Sequence, residues 1–427
     1  MREQIFWLVD FFRGQPVRKH YKELGAILKD PFGDLASSIR QKALSELLSH
    51  ANKTVPFYKE ISPSKFADFP VIDKKRIQDD FDSFKSAKFD TENLFKVATS
   101  GSTGVPFILF HDQRKRNRNT ADVLYFMEKT GYRIGNKFFE LEVWRKHNQR
   151  SRLRNFLQNS IQFDISKLTD ERIDEMLELI KNTNQEINIL GFASALETIC
   201  KYLDEKKQTA KFKNIKGIIA NSEYLSDYTR DAVERHFGSP IYSRYSNEEI
   251  GIIGHQTNTS GTAFELNWAS YFIEILDMQE DIPAKKGSMG RLVITDLYNY
   301  SMPLIRYDTG DVGIFDERGQ QFLKVVEGRK MDMVFDTSGN ILSSHVVYTK
   351  FLAYYDLLNQ YQFIQTGKKD YTIRLNAKVK FDREEELIKS VKEDFGQDAN
   401  IKVEYVMEIP PLSSGKRRKV INRMVFK

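Results

Sequence analysis

Residues 99–106 read Thr-Ser-Gly-Ser-Thr-Gly-Val-Pro and follow the short apolar run 95–98. Gly101 and Gly104 let the backbone turn tightly and approach a ligand, so that successive N–H groups point inward. Thr99, Ser100, Ser102 and Thr103 add hydroxyl donors. Such a loop can wrap a polyphosphate, and the same composition also makes a plain turn. A Walker loop has a lysine after its last glycine, whereas Val105 and Pro106 stand here. A nucleotide bound at this loop therefore needs its cation from elsewhere, from Mg2+ or from a distant basic residue.

Four later segments carry complementary chemistry. Arg244-Tyr-Ser-Asn-Glu-Glu249 follows a predicted strand. An aromatic ring followed by carboxylates suits a nucleotide base and a hard cation, and it also suits a solvated acidic turn. Pro303-Leu-Ile-Arg-Tyr-Asp-Thr-Gly-Asp311 sets a carboxylate beside a glycine turn, where it can accept both hydroxyls of a ribose or simply cap the turn. Glu327-Gly-Arg329-Lys-Met-Asp332 falls at a predicted domain boundary. Leu412-Ser-Ser-Gly-Lys416-Arg-Arg-Lys419 puts a lysine after a pliant turn, able to reach into a cleft or to form a basic tail.

The elements that must hold these segments follow from periodicity. Leu35, Ile39, Ala43, Leu47 and Ala51 recur at helical spacing, predicting a helix over 35–53. Asp73 is placed to cap a short helix near 74–81, and a longer helix is expected over 114–130. From 138 the pattern alternates: strand 138–143, helix 169–182, strand 187–190, helix 194–204, strand 215–220. A helix capped by Ser226 then ends at Gly238, and strand 241–243 follows. This alternation predicts a parallel α/β sheet. After 255 the texture turns to strands at 263–268, 271–276, 290–295 and 312–315. The last hundred residues read as a separate α+β unit with strands 333–336, 361–366, 371–376 and 401–406 and helices 345–358 and 383–395.

Bulk composition narrows the classes. The chain has 427 residues, enough for two or three domains. Its 65 basic and 59 acidic residues leave a net charge of +6, too small an excess to indicate nucleic-acid binding. Basic clusters at 114–116 and 150–154 read as solvated surface. Cys200 is the single cysteine, which excludes a disulfide framework. It sits in an amphipathic helical pattern and reads as buried packing. The seven histidines show no metalloprotease spacing. No apolar run is long enough to span a membrane. The start, Ile5-Phe-Trp-Leu-Val9 with Phe11 and Phe12, is apolar but interrupted by Asp10 and Arg13. Two readings of it stand: a helix packed on its own domain, or peripheral contact with a membrane interface or a partner groove.

In this order and spacing the segments are specific. Together with Val55-Pro-Phe-Tyr58, Phe69-Pro-Val-Ile-Asp-Lys74, Thr295-Asp-Leu297 and Met302-Pro-Leu-Ile-Arg-Tyr307, they make the chain resemble the adenylate-forming superfamily of acyl-CoA synthetases, adenylation domains and luciferases. It is most similar to the phenylacetate–CoA ligase branch with its CapK-like proteins, over nearly its whole length. The resemblance implies an α/β fold. A large N-terminal domain (1–328) would hold parallel α/β sheets and a β-rich subdomain, and a small mobile α+β domain (329–427) would carry the adenylation lysine.

The resemblance also implies roles. Thr99, Ser100, Gly101, Ser102, Thr103 and Gly104 correspond to the phosphate loop. Tyr245 would lie against adenine, Glu249 would hold Mg2+, Asp311 would grip the ribose hydroxyls, and Arg329 would sit near ribose and phosphate. Lys416 corresponds to the mobile lysine that joins the carboxylate and the α-phosphate. Ser338-Gly-Asn-Ile341 resembles the segment lining the thiol tunnel. Ser246 and Glu248 replace the family's glycine and hydroxyl residue, and Met331 occupies the hinge position. Trp144, Phe192, Ser222, Glu223 and His255 are candidates for the acyl pocket. The implied reaction is ATP- and Mg2+-dependent activation of a small carboxylic acid as an acyl-adenylate, then transfer to coenzyme A in the cytoplasm. The alternative acceptor is an amine or hydroxyl, such as a sugar in capsular polysaccharide biosynthesis. No motif names the acid or an oligomeric state.

Overall fold

A computed structural model describes the chain outside residues 1, 60, 62–64, 100–106, 145–148, 167, 209–210, 328–333, 343, 412–416 and 425–427. One sheet of eleven strands dominates its first three quarters. Five strands pair in parallel, in the order Ser160–Asp164, Lys137–Glu142, Ile187–Phe192, Ile215–Asn221, Ile241–Asn247. Ile187–Phe192 and Ile215–Asn221, inside the sheet, are the largely apolar runs that a strand covered on both faces requires. Gln113–Glu128 covers one face, where Met127 packs with Leu190 and Ile219, and the helices Asp170–Lys181, Ala193–Glu205 and Asp227–Phe237 cover the other. Ser226 accepts from the Thr229 N–H at the start of the last of these, and Gly238, at φ 67°, ends it.

The sheet changes character after Ile241–Asn247. That strand turns back and pairs antiparallel with Gly251–His255. The turn places Glu249 beside the carboxyl end of the last parallel strand, where open α/β sheets hold ligands. Gly251 is required at its corner. Its φ is 114°, and a Cβ there would lie 3.0 Å from both the Asn119 Oδ1 and the Tyr271 Oη. Antiparallel pairing then continues through Phe264–Leu266, Gly319–Glu327, Tyr307–Asp316, Gly290–Asp296 and Tyr271–Leu276.

Four N-terminal and central helices lie against the antiparallel half: Arg2–Phe12, Pro16–Lys29, Asp34–Thr54 and Gln113–Glu128. The last is pinned by buried charge. Lys115 pairs with Asp296 at 2.6 Å with both side chains fully buried. Arg118 donates to Ser270, Glu23 and the Ala269 carbonyl. Such pairs fix orientation more than they add stability. A separate two-stranded hairpin joins Phe95–Thr99 to Phe107–His111, with Thr99 opposite Phe107. The segment 100–106 therefore connects adjacent strand ends.

The C-terminal unit is a four-stranded sheet in the order Asn400–Tyr405, Asp370–Ala377, Leu358–Gln365, Val420–Asn422, with the helices Ser344–Phe351 and Glu384–Phe395. It has its own core, including Val347, Phe351, Tyr361, Phe363, Ile373, Leu387 and Phe395. The helix expected over 345–358 stops at Phe351. Leu358 already pairs with Ala377, and Tyr361 is needed in the sheet, where its ring stacks on Phe351 at 4.0 Å. No helix among the described residues is long and apolar enough to cross a membrane.

Candidate active site

The turn after Ile241–Asn247 gathers three expected residues. The Tyr245 hydroxyl donates to the Asp311 Oδ2 at 2.9 Å. Burial, reinforced by the Asp311 charge, pushes the Tyr245 phenol far above its usual pKa, so it stays a donor. Asp311 itself is set by its turn. Gly310 adopts φ 79°, the Asp308 carboxylate accepts its N–H at 2.9 Å, and the Thr309 hydroxyl accepts the Asp311 N–H at 3.1 Å. Glu249 is 2% exposed, forms an ion pair with Lys74, and accepts from the Tyr307 hydroxyl at 3.3 Å.

The hairpin that begins the Ser/Thr/Gly loop joins the same cluster. The Phe107 ring lies parallel to Tyr307 at 6.4 Å, and the Lys74 ammonium sits 5.5 Å from the Phe107 centroid. Thr99, across from Phe107, has a buried hydroxyl with no partner among the described residues. Ser100, Gly101, Ser102, Thr103, Gly104, Arg329 and Lys416 lie outside the described residues. Lys74, His111 and Tyr307 complete the cluster without having been singled out. Lys74 and Tyr307 end two motifs that carried the resemblance, and nothing local marks His111.

The donor set bears on Mg2+. Among the described residues no group of three or more histidine, cysteine or carboxylate side chains could hold a metal. A lone buried carboxylate still fits Mg2+ bound together with nucleotide, since this ion keeps its waters and takes further ligands from phosphate oxygens. Glu249 would supply that carboxylate, with Lys74 as its present counter-ion.

His111 ties the cluster to pH. Its Nε2 donates to the Glu249 carbonyl at 2.9 Å, and its Nδ1 has no partner among the described residues. Burial, aided by Lys115, pushes its pKa down to about 4, and burial pushes that of His255 down to about 3. Both folded values lie below the ordinary value of about 6.5, so the unfolded chain binds more protons between. Stability from this source is complete above pH 6.5 and falls as pH drops, by roughly 1.4 kcal/mol per unit for each group. The urea midpoint is expected to fall between pH 7 and pH 5. His111→Gln, which keeps an N–H donor for the Glu249 carbonyl, is expected to flatten that fall. An unchanged slope in the variant would rule His111 out as a source.

The expected acyl-pocket residues scatter more widely. Phe192, Asn221, Arg244 and His255 lie in register across four neighbouring strands. His255 is fully buried, parallel to Phe126 at 6.0 Å, with its Nδ1 2.6 Å from the Gln256 carbonyl and no partner for Nε2 among the described residues. Trp144 is tied to the far edge: its backbone N–H donates to Asp164 at 3.1 Å and its indole N–H to the Glu140 carbonyl at 3.2 Å. Ser222 takes a left-handed φ of 67° just past the strand end. Asn221 donates to Glu142 at 3.1 Å, while its Oδ1 and the Arg244 Nε are buried without partners among the described residues. Glu140, Glu142, Asn221 and Arg244 thus form a polar wall.

Glu223 has both oxygens engaged. One accepts the Ser194 N–H and the other the Arg417 N–H, each at 2.8 Å. It therefore bridges the start of the helix Ala193–Glu205 to the residue after Lys416. A second contact lies nearby. Lys419 donates to Glu197 at 2.5 Å, Lys201 approaches the other Glu197 oxygen at 3.4 Å, and Lys201 also donates to the Leu358 carbonyl at 2.8 Å. Tyr224 stacks on Tyr348 at 4.2 Å and Tyr228 on Tyr355 at 5.0 Å.

Residues 334–423 match the family described as CapK C-terminal domain. The chain is 23% identical to Protein CapK of Staphylococcus aureus, covering 97% of this chain and 94% of that protein. It is similar in structure to 2-hydroxyisobutyryl-CoA ligase in the postadenylation state with 2-HIB-AMP, with a TM-score of 0.73 at 16% identity over 90% of this chain and 89% of that one. Against the same ligase in the thioesterification state with 2-HIB-AMP and CoA, the TM-score is 0.59 at 17% identity over 92% and 90% of the two chains.

Proposed function

We propose that this chain, which has the fold of the adenylate-forming ligases and a CapK C-terminal domain, activates a carboxylic acid with ATP and passes the acyl group to coenzyme A. The supporting observation is the convergence of Tyr245, Glu249 and Asp311 at the carboxyl end of the parallel strands, with Tyr245 and Asp311 joined at 2.9 Å. In this reading Tyr245 lies against adenine and Asp311 accepts the ribose hydroxyls. Thr99 to Gly104 wrap the phosphates, with Arg329 beside them, and Lys416 bridges the substrate carboxylate and the α-phosphate. The substrate carboxylate oxygen attacks the α-phosphorus, and the bond to pyrophosphate breaks. Like unit charges ~4 Å apart at an effective dielectric of ~20 repel by roughly 4 kcal/mol. Lys416 and the loop N–H groups offset that repulsion, and Glu249 would hold a Mg2+ whose charge would add to theirs.

The C-terminal domain, residues 329–427, then turns about the segment near Met331, withdrawing Lys416 and admitting the thiol. The thiol sulfur attacks the acyl carbon and AMP leaves. The closer likeness to the ligase in its postadenylation state supports reading the present arrangement as the one in which the adenylate is made. ATP and coenzyme A as co-substrates place the reaction in the cytoplasm.

Pyrophosphate release tests the reading. Aryl, short-chain, hydroxy and amino acids are each supplied with ATP and Mg2+, with and without coenzyme A. One acid class is expected to release pyrophosphate, and coenzyme A to raise its turnover and yield a thioester. Silence across the whole panel would reject adenylate formation. Adenylate formation indifferent to coenzyme A would transfer the second half-reaction to an amine or hydroxyl acceptor.

A further inference from the structure

The helix Arg2–Phe12 has two unlike faces. Its inner face is fastened. Asp10 is buried, and its carboxylate accepts the Val17 and Arg18 N–H groups at 3.0 Å each, capping the next helix. Trp7 meets Tyr21 edge-on at 5.9 Å, and the Arg18 guanidinium lies 4.8 Å from the Trp7 ring. Its outer face is Ile5, Leu8, Val9 and Phe12, spaced i, i+3, i+4, i+7, with Phe11 alongside. All five are exposed, Phe12 by 78%. The helix is therefore held rigidly while it presents an apolar stripe outward.

A second helix with the same habit lies next to it. Arg152–Gln158 exposes Leu153 and Phe156 by 68% each and Leu157 by 65%. Arg2 joins the two, donating to the Phe156 and Leu157 carbonyls at 2.6 and 2.9 Å, with its guanidinium 5.2 Å from the Phe156 ring. Eight large apolar side chains from segments about 140 residues apart in sequence are thus brought into neighbouring positions. The exposed charge of the two helices is mainly basic, with Glu3 as its acid. Residues 149–159 contain three arginines and no acid, and Arg13, Lys19, Arg152 and Arg154 are exposed. Asp10, one of the two acids in the first helix, is turned inward.

We propose that these two helices form a docking surface for an anionic membrane, with the apolar side chains entering the interface and the arginines meeting lipid phosphates. An apolar stripe rimmed by cations matches a lipid surface, where burial of side chains and attraction to anionic headgroups act together. The surface is independent of the nucleotide cluster, so the proposal stands or falls apart from the activity.

Flotation of the full chain with vesicles tests it. Vesicles are made of phosphatidylcholine alone or of equal parts phosphatidylcholine and phosphatidylglycerol. Binding to the anionic vesicles, weakened by salt and slight on the neutral ones, is expected. Leu8→Gln with Phe12→Gln, and separately Leu153→Gln with Phe156→Gln, are each expected to lower that binding at least about tenfold. Arg152→Gln with Arg154→Gln should lower it and reduce its salt dependence. These positions are exposed, and either helix's pair suffices should the other disturb folding. No flotation with anionic vesicles, or binding indifferent to both apolar pairs, would overturn the proposal. So would a dimer in sedimentation that the same substitutions dissociate, which would assign the face to a second copy.

Discussion

Lys416→Ala is expected to lower carboxylate-dependent ATP–pyrophosphate exchange by about a thousandfold or more, while thioester formation from supplied acyl-adenylate persists. The repulsion between a carboxylate and an α-phosphate, roughly 4 kcal/mol for each like-charged pair, corresponds to about a thousandfold in rate. Removing one preorganised donor from a developing charge costs a comparable factor. Glu223 adds a graded comparison. Its carboxylate accepts the Arg417 N–H at 2.8 Å and the Ser194 N–H at 2.8 Å, fixing the residue after Lys416 to the start of a sheet-packed helix. Glu223→Ala removes that anchor and leaves the ammonium in place. It should therefore slow the exchange by less than Lys416→Ala does, and spare thioester formation as well. Equal loss of both half-reactions in Lys416→Ala would sink the assignment of this lysine to the first step alone.

The parallel half of the fold is legible because its signals are local. Ile187–Phe192 and Ile215–Asn221 are continuous apolar runs, and Ser226 and Gly238 mark the two ends of one helix. Other elements depend on partners far along the chain. Pro16–Lys29 starts after Gln15 at φ 60° with no cap of its own, because Asp10 of the preceding helix accepts its first N–H groups. Gly319–Glu327 is polar along much of its length, and strands on both sides hold it. Arg152–Gln158 hides in a basic cluster that reads as solvated surface. It is solvated, yet Leu153, Phe156 and Leu157 make it apolar as well.

The candidate site divides in the same way. Tyr245, Glu249 and Asp311 are recognisable by residue type beside a turn, and the fold brings them together. Lys74, His111 and Tyr307 gain their roles only through contacts with Glu249 across the fold, so no spacing announces them. Glu140, Glu142 and Arg244 are ordinary charged residues in sequence. They become a wall only where four neighbouring parallel strands, Lys137–Glu142 to Ile241–Asn247, end side by side. Glu223 has a further use: expected on the acyl wall, it spends both oxygens on backbone N–H groups from two parts of the chain.

Glu197→Ala is expected to undock the C-terminal unit and, with it, to lower pyrophosphate release by a hundredfold or more. Glu197 lies on the helix Ala193–Glu205 and is 8% exposed, between Lys419 and Lys201. Burial opposes charge on all three. The Lys419 and Lys201 charges nevertheless hold the Glu197 carboxyl below its ordinary pKa, and Glu197 raises that of Lys419 despite its burial. For Lys201 burial prevails, and its pKa falls to about 8. Removing the one carboxylate leaves two buried cations uncompensated, a loss of about 3–5 kcal/mol for a broken buried pair. Separation is the available relief, since Lys419 belongs to the C-terminal unit and Lys201 reaches it through the Leu358 and Asn359 carbonyls and the Tyr355 ring. Hydrogen exchange should accordingly quicken around 346–358 and 417–422 in Glu197→Ala, while the sheet core near Ile218 keeps its protection. Pairing Glu197→Gln with Lys419→Met removes both charges of the shorter contact and should recover part of the docking. A Glu197→Ala protein with unchanged exchange and full pyrophosphate release would show that the triad does not hold the two parts together, whereas uniform loss of protection would make it a determinant of the whole fold.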